Sequence, residues 1–98
     1  MFNKDRVSNT FWMDFSIADR FGANAIRDTF RRAFREWKRD YKMLTELVMV
    51  LNHKCWAFHE TNQQYCELYA ELYYIAHDYA MDNLKGDQLR YYISIGHF

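Results

Sequence analysis

The sequence predicts an all-α fold: a compact bundle of three main helices with short additional helices at the amino and carboxy ends. Three observations carry that expectation. The 98 residues include no proline and only Gly22, Gly86 and Gly96 as glycines, which leaves few breaks and few of the tight turns that a β-rich fold needs. Apolar side chains recur every three or four residues through the long segments, the period of a helix with one buried face. Half the residues are hydrophobic, with 8 Phe, 8 Tyr and 3 Trp among them. That is enough to bury one core but not two, with no need for metals or disulfides.

Residues 1–9 read as a polar leader, and residues 10–98 as a single helical domain. Thr10-Phe-Trp-Met-Asp-Phe-Ser16 is too dense in rings for a solvated linker, so Phe11, Trp12 and Phe15 are expected to cover the core. Ser16 and Asp19 resemble a helix-start signal for a short helix from about Ile17 to Phe21, interrupted near Gly22. Asn24 is placed to cap the next helix, from Ala25 to about Arg39. Its buried stripe is Ile26, Phe30, Ala33, Phe34 and Trp37, extended by Tyr41.

The segment from Met43 to Phe58 is expected to lie at the centre. On a helical wheel Leu44, Leu47, Val48, Leu51, Cys55 and Phe58 form a broad apolar face that Met43 and Val50 widen. Met49 and Trp56 fall nearly opposite, leaving Glu46, His53 and Glu60 as the polar strip. A helix apolar nearly all round belongs in a core. Thr61 and Gln64 match a capping box that opens a helix from about Asn62 to Lys85, with Tyr65, Leu68, Tyr69, Leu72, Ile75, Ala76, Tyr79 and Ala80 inward. Gly86 closes it in a left-handed conformation. Asp87 then caps a last short helix carrying Leu89, Tyr92 and Ile93, which Gly96 ends before His97 and Phe98.

The formal charge is zero but unevenly spread. Residues 1–54 carry 11 Lys/Arg against 7 Asp/Glu, and residues 55–98 carry 2 against 6. No cleavable leader pattern and no apolar run of the roughly 18 residues of a membrane span is present. The expected location is therefore cytoplasmic, with no membrane contact and with Cys55 and Cys66 reduced.

Three constellations are candidates for function. Arg27, Arg31, Arg35, Lys38 and Lys42 fall on one arc and could track phosphates, with Tyr41 beside them for stacking on a base. Against that, the near-neutral pI of about 6.9 is far from the value above about 9 usual for nucleic-acid binders. Glu67, Glu71, Tyr74, Asp78 and Met81 share the outer face of the 62–85 helix, where carboxylates can steer a basic partner and the ring and thioether can anchor it. Cys55, His59 and Cys66 lie on the two arms of a helical hairpin, but an obvious fourth ligand and the spacing of robust zinc sites are missing. No metal or cofactor is expected. His53, His59, His77 and His97 lie in different segments, and no Gly-rich phosphate loop, HExxH pair or Gly-x-Ser-x-Gly elbow occurs, so no catalytic residues are assigned and no enzyme is expected.

Thr10-Phe-Trp-Met-Asp-Phe-Ser-Ile-Ala-Asp-Arg-Phe-Gly22, Ala33-Phe-Arg-Glu-Trp-Lys38, Leu44-Thr-Glu-Leu-Val-Met-Val-Leu-Asn52 and Asn83-Leu-Lys-Gly86 together resemble small all-helical proteins carried by bacterial phages and conjugative or other mobile elements. The resemblance spans Thr10 to Gly86 and brings no catalytic motif. It implies a non-enzymatic interaction module that acts on a host protein, such as an inhibitor of a host defence complex of the anti-CRISPR kind. The leading expectation is thus protein binding through Glu67, Glu71, Tyr74 and Asp78. The alternative is a nucleic-acid-binding accessory or regulatory protein using the basic 25–42 segment. A homodimer that pairs the oppositely charged faces is a third reading.

Overall fold

The computed structural model describes the backbone of residues 3–96 and the side chains of residues 10–95; Met1, Phe2, His97 and Phe98 lie outside the described residues. Among the described residues five helices follow in order: α1 (Asn3–Asp19), α2 (Ala23–Trp37), α3 (Tyr41–Ala57), α4 (Gln63–Asn83) and α5 (Asp87–Gly96). The fold is all-α, with α2, α3 and α4 as its main helices.

Asp40 starts the central helix. Its backbone is extended, and its carboxylate accepts from the N–H groups of Lys42 and Met43 at 3.1 Å each, satisfying donors that have no partner within the helix. From there α3 packs against all four other helices. Leu44, Leu47, Val48 and Leu51 are fully buried, as the wheel implies. Leu51→Ala should therefore cost about 2–5 kcal/mol, and an unchanged urea midpoint would contradict this core assignment.

The polar strip expected on α3 does not exist as drawn. Glu46 is only 2% exposed, because α5 packs on α3 there. Burial first, and the Glu46 carboxylate second, raise the Tyr91 phenol above its ordinary pKa. Thr45 is buried too, and donates its hydroxyl to the Tyr41 carbonyl at 2.7 Å.

Helix α1 runs 17 residues from Asn3 without interruption, in place of a short helix from Ile17 to Phe21. Phe11, Phe15 and Ala18, spaced four and three apart, are its buried stripe. Trp12 does not cover the core as expected: it lies at the rim, its ring 4.2 Å from the Lys54 ammonium. Gly22 then turns the chain with φ +109°, a backbone conformation that side chains with a Cβ rarely adopt. Gly22 is also the residue at the start of α2 and has no side chain with which to cap it. Asn24, expected in that role, is an exposed residue one position inside the helix.

Helix α2 ends at Trp37, and a turn closed by Asp40 N–H to Trp37 C=O at 3.0 Å separates it from α3. Ile26 and Phe30 are buried, while Ala33, Phe34, Trp37 and Tyr41 are half-buried against the core. The cap of α4 is Asn62 and not Thr61: its side chain accepts from Tyr65 N–H at 3.1 Å. Leu68, Tyr69, Leu72, Ala76 and Ala80 face inward as expected, but Ile75 is 47% exposed. Gly86 does take a left-handed conformation, φ +57°, three residues after α4 ends. Asp87 is the first residue of α5, not its cap, and pairs with Arg90 at 3.3 Å.

The molecule has a radius of gyration of 12.8 Å, close to the roughly 12.6 Å of a compact chain this long. No helix among the described residues is long and apolar enough to cross a membrane.

Candidate functional site

Helix α4 buries Leu68, Leu72, Ala76 and Ala80 against α3, which turns the opposite face outward. On it Glu67, Glu71, Tyr74, Asp78 and Met81 are all exposed, as the spacing implies. Tyr74 is 59% exposed, braced edge-on by Tyr73 with ring centroids 5.1 Å apart. Ile75, unexpectedly outward, adds a branched apolar side chain next to it. Four exposed acids, Glu67, Glu71, Asp78 and Asp82, share the outer side of this helix.

The basic arc of the sequence is broken up. Arg27, Arg31, Arg35 and Lys38 belong to α2 or its cap, but Lys42 begins another helix, since the chain turns at Lys38–Asp40. Most of these cations are engaged. Arg27 Nη1 lies 2.7 Å from Glu71 Oε1, so the basic and acidic faces meet across the α2–α4 boundary. Arg31 pairs with Asp28 at 2.7 Å. The Lys38 ammonium sits 5.6 Å from the ring centroids of Phe34 and Tyr79, and that of Lys42 5.9 Å from those of Tyr41 and Tyr91. Arg35 is exposed. The Arg27–Glu71 pair is half in solvent, with side chains 42% and 54% exposed, and contributes at most about 1 kcal/mol to stability. Its larger effect is to cancel charge. Beside it is an open cleft of about 330 Å³ between Ala23 and Arg27 of α2 and Gln64, Glu67 and Leu68 of α4.

His59 does not join the thiols. Its ring lies 5.2 Å from that of the exposed Trp56, whereas Cys55 and Cys66 converge with their sulfurs 3.6 Å apart. Among the described residues no group of three or more His, Cys, Asp or Glu side chains is placed to hold a metal ion.

Two clusters went unread in the sequence. Lys54, 4% exposed, donates to Ser16 Oγ at 2.7 Å and to Asp19 Oδ2 at 2.8 Å. Tyr69 donates to the other oxygen of Asp19, and Tyr65 to its backbone carbonyl at 3.0 Å. Burial, then the Asp19 partner, pushes the Tyr69 phenol far above its ordinary range, so it remains a donor. The ammonium donates to both Ser16 and Asp19 and offers Ser16 no base; the cluster joins α1, α3 and α4. A second group holds α5 on α4: Tyr92 is fully buried, burial, with Tyr73 and Asp78 adding, raises its pKa, and its hydroxyl shares a hydrogen bond with His77 Nδ1 at 2.5 Å.

A further exposed apolar ridge runs from Met13 and Ile17 of α1 to Phe21 in the turn that follows it, the last 76% exposed. Their four-residue spacing was visible in the sequence, but only a continuous α1 sets Met13 in line with Ile17.

Comparison of the chain with protein-family models, with curated proteins and with solved structures gives no match.

Proposed function

We propose that the protein is a non-enzymatic interaction module that docks the outward face of α4 on a basic surface of a partner protein. The observation that carries this reading is Tyr74, 59% exposed on a helix face that also presents Glu67, Glu71 and Asp78. A stiff aromatic ring braced by a neighbouring ring loses little freedom on binding, and exposed Tyr is a frequent anchor of protein interfaces. The exposed carboxylates outside the Arg27–Glu71 pair, Glu67, Asp78 and Asp82, would steer a cationic partner and disfavour acidic ones. Ile75 and Met81 extend the apolar contact along the same helix.

The resemblance to proteins of phages and conjugative elements directs this reading to a host protein, and an inhibitor of a host defence complex such as a CRISPR nuclease would use it by occupying a basic functional surface. That step is analogy of context and carries no geometry. Nucleic acid as the partner is less well supported, because Arg27 and Arg31 are paired with carboxylates and Lys38 and Lys42 lie against rings.

The test is affinity capture of the tagged chain from host lysate, with and without nuclease, followed by mass spectrometry and titration of the captured protein. A protein retained after nuclease treatment should bind at least about 30-fold more weakly to Tyr74→Ala combined with Asp78→Lys, the effect of removing one interface anchor. Its binding to Arg31→Glu combined with Arg35→Glu should be unchanged. The opposite pattern, with capture abolished by nuclease and affinity falling steeply with salt, would move the function to α2 and nucleic acid.

A further inference from the structure

We infer that Cys55 and Cys66 form a paired-thiol modification site, at which a low-molecular-weight disulfide oxidises the chain to an intramolecular Cys55–Cys66 disulfide across the α3–α4 hairpin. Three observations carry it. The sulfurs are already 3.6 Å apart, in hydrogen-bonding contact, although the residues lie on different helices. The two thiols differ in access, Cys55 being half-buried and Cys66 buried. Finally, α3 and α4 pack closely, and closing the bond asks the sulfurs to approach from 3.6 Å to the roughly 2.05 Å of a disulfide.

That difference in access orders the chemistry. The Cys55 thiolate attacks one sulfur of the reagent RSSR, forming a Cys55–S–S–R mixed disulfide and releasing one RS⁻, which takes up the proton Cys55 has lost. Cys66, deprotonated in its turn, then attacks the Cys55 sulfur and expels the second thiol. In sum, two protein thiols and RSSR give one protein disulfide and two RSH; the protein loses two electrons and two protons, and the reagent gains them. Cys66 is the resolving thiol because it is shielded from the bulky reagent but touches Cys55.

Burial, followed by the hydrogen bond to Cys66 and the Cys66 charge, pushes the Cys55 thiol up to about 11. Little thiolate therefore exists near neutrality, which makes the pair slow to react and its reaction steeply dependent on pH. The bond would tie the last turn of α3 to the first turn of α4, immediately before Glu67. It would stiffen the hairpin that carries the outward face of α4, but the site stands on the two sulfurs and not on any partner of that face.

The full-length chain is incubated under native conditions with oxidised glutathione at several pH values and followed by intact mass. The expected product has lost two hydrogens and carries no glutathione adduct, forms about tenfold faster for each pH unit between 7 and 9, unfolds at higher urea, and reverts with dithiothreitol. In Cys66→Ser the reaction should stop at a stable adduct on Cys55, and in Cys55→Ser the native chain should hardly react. A stable adduct on the wild-type chain, chains linked to each other, or reaction only after urea unfolds the protein would each overturn the assignment. The wild-type mass decides this by itself, whether or not the serine variants fold.

Discussion

Asp19→Ala should remove about 3–5 kcal/mol of folding stability, the usual cost of breaking a buried ion pair from one side. For a chain of this size that is a large part of the roughly 5–15 kcal/mol expected in total. The reason is what the substitution leaves behind. The Lys54 ammonium, its side chain 5% exposed, would retain Ser16 as a neutral acceptor but no counter-charge, and the Tyr69 hydroxyl would lose the carboxylate it donates to. The neighbouring rings of Trp12 and Phe58 attract a cation only weakly by comparison. Lys54→Met should cost distinctly less, since it removes the cation itself and fills its space with an apolar side chain, while Asp19, at 14% side-chain exposure, can reach water. Urea denaturation of both variants reads the order directly. Equal losses, or a larger one for Lys54→Met, would mean that the network is not held together by the pairing of these two charges.

Lys54 also marks where the sequence stopped being legible. The central helix was readable because its apolar residues so outnumber its polar ones that any compact arrangement must bury Leu44, Leu47, Val48 and Leu51. For the same reason the polar residues on it could not be placed: Glu46 and Lys54 look like solvated positions until α5 and α1 are known to cover them. A charge can be buried where a partner waits, and Asp19 lies 35 residues away in the chain, beyond any local pattern. The cap at Asn62 was missed by one residue, because Thr61 has equally suitable chemistry and only the turn geometry chooses between neighbours. Helix α2 instead opens at Gly22 with no capping side chain, so the capping chemistry of Asn24 pointed two residues too late. The acid face of α4 was legible, since helical spacing alone sets Glu67, Glu71, Tyr74 and Asp78 together. That Arg27 reaches across to Glu71 was not, because it depends on how α2 packs on α4. The same limit explains the split of the basic arc, where a helix break at Lys38–Asp40 reassigns Lys42 to another face.

Phe15→Ala is the second large effect, expected to cost about 3–5 kcal/mol. Phe15 is fully buried on α1 and meets Tyr69 of α4 edge-on, with ring centroids 5.7 Å apart. Removing the ring leaves a void between α1 and the α3–α4 pair that those helices, already packed on each other, can only partly close. The void would lie beside Tyr69, whose hydroxyl is the link to Asp19. Phe15→Ala and Asp19→Ala therefore act on the same residue from two sides, and their effects should not add: the double variant should lose less than the sum of the single losses, by about 0.5–3 kcal/mol. The coupling tests the place of α1 in the fold. If α1 is part of one cooperative unit, each single variant unfolds in a single transition, with ring and far-ultraviolet signals moving together, and the coupling is present. If α1 were instead a separately melting segment, both substitutions would act on its docking alone. The tryptophan signal from Trp12 would then change at low urea, while the helical signal from α2 to α5 kept its original midpoint.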